Sequence, residues 1–453
     1  MGLQRVLVAN RGEIAVRIIR ACRSLGIETV LGVSEADEQT RGAQLADHVV
    51  VIGPASAAAS YLDEDALIAT ALGTGCDAIH PGYGFLAERA SFAAAVEAAG
   101  LRFVGPTAAS IDLMGDKLRA REVAADAGVP IVPGSEAVAT VADAVEAARE
   151  VGYPLMLKAS AGGGGRGIQI VDREEDLRSV FEVATAEVAA AFGDPRVFLE
   201  RYVSSARHVE VQVLGDGTGR VLTLGERDCS LQRRYQKIVE EAPAFLPSLD
   251  GDQLQEMREG LYAAARSLAE AIDYRGAGTV EFIVDQSSGE FFFLEMNTRI
   301  QVEHPVTEAI TDVDLVAWQL RIAGDEPLDL VQSDIVLRGH AIEVRLTAED
   351  ADAGFMPSPG QIRAWIVPGG PGVRVDTHCY AGYEIPIHYD SLLCKLIVHG
   401  PDRATALRRM QSALDEFVVE GVSTTRDFLG GLLREPDVVA GAIDTGWVER
   451  SRE

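Results

Sequence analysis

The first hundred residues alternate between short β-rich runs and helical patterns, and this alternation constrains the fold more than any other feature of the chain. Residues 5–9, RVLVA, are β-rich, and a turn through Asn10-Arg11-Gly12 leads into apolar residues at helical spacing. Further segments continue in the same manner, with strands predicted at 29–33, 49–52, 77–85 and 101–105 and helices at 59–72 and 88–99. Such an alternation predicts a parallel, doubly wound α/β sheet.

The turn after the first strand carries no dinucleotide signature. It reads ANRGEIA, whereas a nicotinamide or flavin dinucleotide site would need GxGxxG at this position. Residues 1 to about 113 are therefore predicted to be Rossmann-like without the NAD signature.

The length and charge of the chain limit its organisation and its partners. A chain of 453 residues is too long for one hydrophobic core, so roughly two to four domains are expected. The net charge of −28 argues against nucleic acid and against an anionic membrane surface as partners. No uncharged apolar run has membrane length, and the N-terminus lacks the apolar core of a signal peptide.

The cysteines indicate a reducing compartment. They are five in number, widely scattered and without a CxxC pair (Cys22, Cys76, Cys229, Cys379 and Cys394). Neither a zinc site nor a disulfide framework is suggested by that spacing, and a cytoplasmic location is expected.

A glycine run lies between two apolar strands. Residues 153–160, YPLMLKAS, are a predicted strand with the single charge of Lys158, and AGGGGRG at 161–167 leads into a strand at 167–171. A run of this kind can be a flexible linker. Its short length between two strands favours instead a hairpin whose backbone N–H groups bind phosphate.

The segment CSLQRRYQK, residues 229–237, is polar and basic within an acidic chain. Two interpretations stay open from the residues alone: a solvated loop, or positive charge that serves an anion.

Polar residues occupy every second position of FFFLEMNTRIQVEH, residues 291–304 (Glu295, Asn297, Arg299, Gln301 and Glu303). In an extended strand they would share one face, which is either solvated or able to hold a hard cation and an oxyanion. Strands at 278–285 and 290–297, joined by QSSG, form a predicted hairpin. With Ile283 opposite Phe293, Glu281 would face Glu295, and two facing carboxylates favour a cation between them.

The order of motifs along nearly the whole chain resembles the biotin carboxylase family of the ATP-grasp superfamily. The motifs are ANRGEIA, HPGYGFLAE, LMGDK, KASAGGGGRG, ERDCSLQRR, EEAPA, EMNTRIQVEHPVTE, RGHAIEVR and PSPG. The resemblance implies a multidomain α/β and α+β protein: a Rossmann-like domain at 1–114, an ATP-grasp domain at 115–334 and a C-terminal biotin carboxylase domain at 335–447. It also implies a mobile glycine-loop lid at about 131–203.

The resemblance further implies a reaction and its cofactors. MgATP, or MnATP, and bicarbonate would give carboxyphosphate, and biotin on a separate carrier protein would then be carboxylated. Matched residue by residue, the ATP contacts are expected at Lys117, Lys158, Gly162, Gly163, Gly164, Gly165, Glu200, Arg201, Val203, His208, Gln232, Tyr235, Glu281 and Glu295. Without the resemblance, Lys117 would be read as a helix-surface lysine and His208 as a strand-face histidine.

The same matching gives roles around the reacting groups. Glu281, Glu295 and Asn297 match the metal ligands, and Glu303 matches the general base. The expected bicarbonate contacts are Lys237, Arg299, Gln301 and Val302, and the expected biotin contacts are Arg345 and Tyr83.

The resemblance also implies partners. A biotin carboxyl carrier protein and carboxyltransferase subunits are expected on other chains, because no Met-Lys-Met biotinylation motif is present; acetyl-CoA carboxylase of fatty acid biosynthesis is the expected setting. Ser24 and Pro371 stand where bacterial relatives have an acidic and an aromatic interface residue, so the homodimer is left open. Ala161 and Tyr235 also depart from the usual pattern, in the glycine run and near the phosphates.

Two other functions share parts of this pattern. A carbamoyl-phosphate-type ligase would have the ATP and bicarbonate residues but would lack the pair Arg345 and Tyr83. A non-catalytic nucleotide-binding subunit would have lost a metal ligand or the base, whereas Glu281, Glu295 and Glu303 are all present.

Overall fold

The N-terminal part contains a parallel sheet with helices packed on it, as the alternation predicts. In this computed structural model, which describes residues 2–159, 169–192 and 196–452, the sheet has five strands in the order β3-β2-β1-β4-β5. The strands are β1 (Arg5–Val8), β2 (Glu28–Ser34), β3 (His48–Gly53), β4 (Ala78–His80) and β5 (Arg102–Phe103). The helices are α1 (Gly12–Ser24), α2 (Arg41–Leu45), α3 (Glu64–Gly73), α4 (Ala90–Ala98) and α5 (Ala108–Gly115), with 3₁₀ turns at Glu35–Asp37 and Ala57–Ala59.

The predicted strand at 77–85 is wrong after His80. Gly82 and Gly84 adopt positive φ angles of 63° and 65°, so the chain turns there and leaves the sheet. The side-chain amide of Asn10 fixes this turn by donating to the carbonyls of Pro81 and Tyr83 at 2.6 and 2.7 Å.

The predicted glycine loop lies outside the described residues, and so do Gly162, Gly163, Gly164, Gly165 and Ala161. The flanking strands belong to a three-stranded antiparallel sheet in the order β7-β6-β8. In chain order, the helices and strands of this part are α6 (Lys117–Asp126), α7 (Val141–Val151), β6 (Leu155–Ala159), β7 (Gln169–Val171), α8 (Glu174–Phe192) and β8 (Val197–Arg201).

An eight-stranded antiparallel sheet forms the centre of the molecule. Its order is β13-β12-β9-β10-β11-β14-β21-β19. Residues 206–334 supply the first five of these strands and the helices between and after them. In chain order the elements are β9 (Ala206–Asp216), β10 (Val221–Arg233), β11 (Gln236–Ala242), α9 (Gly251–Ala271), β12 (Arg275–Asp285), β13 (Phe291–Asn297), α10 (His304–Thr311), α11 (Leu315–Ala323) and a 3₁₀ turn at Gln332–Asp334. Helix α9 packs on this sheet through a core that includes Leu261, Leu268 and Phe282.

The C-terminal part continues the same sheet across residue 335, since β11 pairs with β14. Its elements are β14 (His340–Thr347), β15 (Glu349–Asp350), β16 (Met356–Pro357), β17 (Gly360–Gln361), β18 (Ala364–Ile366), β19 (Val373–Thr377), β20 (Glu384–Ile385), β21 (Leu392–Gly400), α12 (Arg403–Glu416), β22 (Val418–Glu420), α13 (Arg426–Leu432), α14 (Pro436–Ala440) and α15 (Trp447–Arg450). The boundaries 1–114, 115–334 and 335–447 stay predictions.

The basic segment 229–237 is a hairpin rather than a solvated loop. Residues 229–233 end β10, Gln236 and Lys237 begin β11, and the turn between them places Arg234 and Tyr235 at positive φ. Residues 229–232 are buried and residues 234–236 are exposed, so the interpretation of this stretch as a solvated loop is wrong except at the turn.

The hairpin of β12 and β13 confirms that Glu281 faces Glu295, although the predicted register is wrong. Ile283 pairs with Phe292, because the register shifts between Glu281 and Phe282. The strand also ends at Asn297, and Pro305 in the first turn of α10 starts a helix at His304. Arg299, Gln301 and Glu303 therefore lie on a turning segment, and the prediction of one extended face through Glu303 is wrong.

Within the described part of the chain, none of the helices combines the length and apolarity needed to span a bilayer.

Candidate active site

A row of charged side chains crosses four neighbouring strands of the central sheet. Arg227 pairs with Glu210, Glu210 with Glu281, and Glu281 with Glu295. The first three are buried. Since directly opposed residues lie about 5 Å apart, the strand register itself brings three carboxylates together, and cations must lie among them to make the arrangement stable.

Arg227 anchors one end of the row and is fully buried. Its guanidinium donates to Glu210 at 2.5 Å and to the side-chain oxygens of Gln212, Thr279, Gln301 and Thr307 at 2.7–3.0 Å. Burial opposes its charge, but Glu210 and Glu303 outweigh burial and raise its pKa. Arg227 thus fixes the side chain of Gln301, a residue of the turning segment.

Lys237, from β11, is the cation at the centre. Its Nζ donates to Glu210 at 2.5 Å, to Glu303 at 2.6 Å and to Glu281 at 3.0 Å. Burial would lower its pKa, but the three carboxylates, led by Glu210 and Glu303, raise the pKa well above its usual value. Lys237 therefore stays protonated at neutral pH and joins three strands and the turning segment at one point.

Glu303 lies between Lys237 and Arg345. Arg345 Nη2 donates to Glu303 Oε2 at 3.1 Å. Burial would raise the pKa of Glu303, but Lys237 and Arg345 outweigh burial and lower it far below its usual value. Glu303 is therefore ionised throughout the neutral range.

Arg345 also contacts Glu240, which lies beside it in the sheet. Its Nε donates to Glu240 Oε1 at 2.6 Å. Burial raises the pKa of Glu240 to about 7, against the opposing effect of Arg345.

The carboxylate of Glu281 has four polar partners, of which Lys237 has been described above. Gln301 and Asn297 donate to Oε1 from 2.7 and 2.9 Å, and His208 Nε2 lies 2.9 Å from Oε2. Burial opposes ionisation, but His208 and then Lys237 outweigh it and lower the pKa of Glu281 well below the usual value. Gln232 in turn lies 3.1 Å from Nδ1 of His208 and so orients the imidazole.

Glu295 has the opposite environment. Burial, together with the neighbouring charge of Glu281, raises its pKa, and the exposed Lys117 lies 4.0 Å from its carboxylate. Two facing carboxylates and the amide oxygen of Asn297 are the hard oxygen donors that Mg²⁺ and Mn²⁺ prefer. This donor set fits a divalent cation, which would relieve the repulsion between the two carboxylates.

Arg299 connects this site to the N-terminal part. It donates to Glu88 Oε2 and to Asn297 Oδ1, both at 2.9 Å, and the backbone N–H of Thr298 donates to the other oxygen of Glu88 at 3.1 Å. Burial opposes its charge, yet Glu88 raises the pKa of Arg299.

The remaining predicted nucleotide residues lie on the three-stranded sheet or beside it. Lys158 and Arg121 both pair with Glu200, Arg201 lies 3.2 Å from Glu290, and Val203 is buried. Tyr235 differs from these residues because its side chain is 85% exposed at the hairpin turn.

The two predicted biotin contacts lie on different elements. Arg345 is on β14, and Tyr83 is in the turn after β4, where its hydroxyl donates to Glu13 of α1. Val302 contributes its carbonyl, which accepts from Lys395 of β21 at 2.9 Å.

Several residues that hold these groups were not predicted from the sequence: Glu88, Glu210, Gln212, Arg227 and Glu240. One signal was present. In HVEVQV, residues 208–213, polar residues alternate with valines, which places His208, Glu210 and Gln212 on one face of a strand. The remaining three act through contacts between distant segments, which no local spacing records.

Three family models match consecutive parts of the chain. They are biotin carboxylase, N-terminal domain, over residues 2–111; carbamoyl-phosphate synthase L chain, ATP binding domain, over 116–331; and biotin carboxylase C-terminal domain over 343–450. These matches define an ATP-grasp carboxylase.

Two similar proteins identify the family within the class of ATP-grasp carboxylases. The biotin carboxylase of Nostoc sp. is 50% identical over 450 residues, with 99% of each chain covered, and biotin carboxylase 1 of Bacillus subtilis is 50% identical over 448 residues, with 99% of this chain and 98% of the relative covered. The chain belongs to the biotin carboxylase family, whose reaction is the ATP-dependent carboxylation of biotin, the first half-reaction of biotin-dependent carboxylases.

A solved structure agrees with this assignment. The biotin carboxylase domain dimer of Hydrogenobacter thermophilus 2-oxoglutarate carboxylase, in complex with MgADP, ADP and bicarbonate, is 47% identical with a TM-score of 0.87. The match covers 100% of this chain and 98% of the solved one.

Proposed function

We propose that the cluster around Lys237 is the place where bicarbonate is deprotonated and phosphorylated to carboxyphosphate. The observation that carries the proposal is the contact of Lys237 with Glu210, Glu281 and Glu303 within 3.0 Å, beside Arg345. A single ammonium among three buried carboxylates is a cation that an incoming anion can share. Arg299 and Gln301 lie on the same turning segment and supply further donors for bicarbonate.

Glu303 acts as the general base in this proposal. Bicarbonate must lose its proton to become a useful nucleophile, and an ionised carboxylate within hydrogen-bond reach can accept that proton. In the present contacts Lys237 and Arg345 make Glu303 a weak base. An anion that draws Lys237 towards itself weakens that hold and makes Glu303 more basic.

The nucleotide and a divalent cation occupy the neighbouring side. Glu281, Glu295 and Asn297 would hold Mg²⁺ or Mn²⁺, and the cation would supply positive charge against the negative charge that develops during transfer. Lys117, Lys158, His208 and Gln232 would bind ATP, with Glu200, Arg201 and Val203 near the base. Lys158 would exchange its contact with Glu200 for a phosphate oxygen.

Arg345 and Tyr83 are the proposed contacts for biotin. The ureido nitrogen is a weak acid, so the guanidinium of Arg345 stabilises the negative charge formed when that nitrogen loses its proton. The C–O bond of carboxyphosphate breaks, its carboxyl carbon bonds to the nitrogen, and the leaving phosphate takes the proton of the nitrogen and is released as inorganic phosphate.

The partners in this proposal are a biotinylated carrier protein and a carboxyltransferase. Acetyl-CoA or another acyl-CoA is the proposed final acceptor, with fatty acid biosynthesis as the setting and the cytoplasm as the location. The five cysteines are free and buried, which agrees with a reducing compartment. The homodimer stays a prediction; sedimentation would give twice 48.3 kDa for a dimer.

The first prediction concerns Glu303. Wild-type protein should release ADP in a bicarbonate-dependent manner, and free biotin should raise that rate. Glu303→Gln keeps the shape but cannot accept the proton, so we expect a loss of about 100-fold or more in the biotin-stimulated rate. ADP release by the variant at the wild-type rate would exclude Glu303 as the base, and a wild-type rate unaffected by bicarbonate and biotin would overturn the proposed function.

A further inference from the structure

A lysine outside the proposed site is buried between the proposed biotin and bicarbonate contacts. Lys395, on β21, has a fully buried side chain. Its Nζ lies 3.1 Å from Glu13 Oε1 and donates to the carbonyl of Val302 at 2.9 Å. One buried ammonium thus joins α1, β21 and the residue that precedes Glu303.

Glu13 connects this ammonium to Tyr83. The hydroxyl of Tyr83 donates to Oε1 of Glu13, the same oxygen that faces Lys395. At its other end, the Tyr83 carbonyl accepts from Asn10 at 2.7 Å. The ring is therefore fixed both at its backbone and at its hydroxyl, and the hydroxyl contact depends on a carboxylate.

The charge of Lys395, 3.1 Å from Glu13 Oε1, opposes protonation of that carboxylate. Burial raises the pKa of Glu13, and Lys395 acts against this increase. A carboxylate accepts a stronger hydrogen bond from a phenol than a neutral carboxyl group does, so loss of the ammonium weakens the attachment of the tyrosine hydroxyl.

We propose that Lys395 is a positioning residue that acts through Glu13 to hold the Tyr83 ring where biotin binds. The inference depends on the proposed role of Tyr83 as a biotin contact. Lys395 itself touches no reacting group; its second contact, with the Val302 carbonyl, ties the biotin side of the site to the segment that carries Glu303.

The test is Lys395→Met, made in the wild type and in a Tyr83→Phe background. We expect the KM for free biotin in the ADP-release assay to rise about ten-fold in Lys395→Met, with a smaller change in kcat, since one charge-supported hydrogen bond is lost. In the Tyr83→Phe background the same substitution should change this KM less than about two-fold, because the hydroxyl on which it acts is absent.

The matched control is Arg403→Met, which removes a partly buried cation from a buried carboxylate, Glu241, in the same part of the chain. It should lower thermal stability without changing the KM for biotin. If Lys395→Met does not fold, because Glu13 is left as an unpaired buried charge, the double variant Glu13→Gln/Lys395→Met removes both charges. Its neutral amide still accepts from Tyr83, and we expect an intermediate KM.

A wild-type KM for biotin in Lys395→Met, or in the double variant where the single one does not fold, would overturn the inference. So would a ten-fold increase that persists in the Tyr83→Phe background, because Lys395 would then act by another route. Both outcomes leave a biotin-stimulated wild type and hence the proposed function intact. A wild type without biotin stimulation would overturn the proposed function and this inference together.

Discussion

At the scale of single residues, the site is a set of buried charges that compensate one another. Glu210 illustrates this arrangement: Arg227 contacts one of its oxygens and Lys237 the other, both at 2.5 Å. An unpaired buried carboxylate would be protonated or would destabilise the fold by several kcal/mol. The two pairings therefore compensate the charge of Glu210 inside the sheet.

Arg227 gives the second prediction. Arg227→Met leaves Glu210 partly unpaired and removes the donors of four further side chains, so we expect a loss of about 3–5 kcal/mol in the free energy of unfolding. Urea denaturation measures this loss.

A surface arginine is the control for this prediction. Arg119 forms an exposed pair with Asp112, and Arg119→Met should change the free energy of unfolding by no more than about 0.5 kcal/mol. Equal effects of the two substitutions would contradict the structural role assigned to Arg227.

At the scale of elements, local patterns predicted the hairpin of β12 and β13 but not the turn after it. The alternation in the two strands and the turn residues between them predicted the hairpin. The placement of Glu281 opposite Glu295 depended on an assumed register, Ile283 opposite Phe293, which holds at Glu281 but not from Phe282 onwards. The register shift after Glu281 leaves no mark in the alternation of the two strands. The turn after Asn297 is stabilised by Glu88, a residue more than 200 positions away.

The third prediction concerns the pH dependence of stability and depends on a residue of β11. Glu241 of β11 lies 2.8 Å from His340 Nε2 and accepts from Arg403 Nε at 2.6 Å. Burial opposes its ionisation, but these two partners lower the pKa from 4.5 to about 2. Since the folded pKa is below the unfolded one, this carboxylate stabilises the fold above pH 4.5, and its contribution is lost as the pH falls towards 2.

Comparison with Glu241→Gln measures that contribution. The wild type should be more stable than the variant at about pH 7, and the difference in free energy of unfolding should shrink by about 1 kcal/mol at about pH 3.5. A difference that is constant or that grows on acidification would contradict the sign of the pKa shift.

At the scale of the whole molecule, the central sheet explains why one site needs distant parts of the chain. Strand β14 continues the sheet beyond residue 335 and places Arg345 beside Glu240 of β11, the strand that also carries Lys237. Helix α1 and the turn after β4 contribute Glu13 and Tyr83 from the N-terminal part.

The periodicity of the sequence could not predict how these distant segments come together. It predicted the parallel sheet at the N-terminus from residues 5–105, because neighbouring strands there alternate with the helices that connect them. Only the resemblance to a family grouped Tyr83, Lys237 and Arg345 into one site. These residues are far apart in sequence, and the register of several strands brings them together.

The central claim is that bicarbonate attacks the γ-phosphorus of ATP at the Lys237 cluster. In that step a bicarbonate oxygen forms the new bond to phosphorus while ADP leaves. When carboxyphosphate later breaks at its carbon–oxygen bond, that oxygen stays on the phosphate, and the carboxyl group goes to biotin.

The direct measurement is transfer of ¹⁸O from labelled bicarbonate to inorganic phosphate, followed by mass spectrometry before the label exchanges with water. We expect one labelled oxygen in each phosphate that the wild type releases in the presence of biotin, and a matching loss of labelled phosphate in Glu303→Gln. Phosphate released by the wild type without label would show that water attacks ATP, and it would contradict the account.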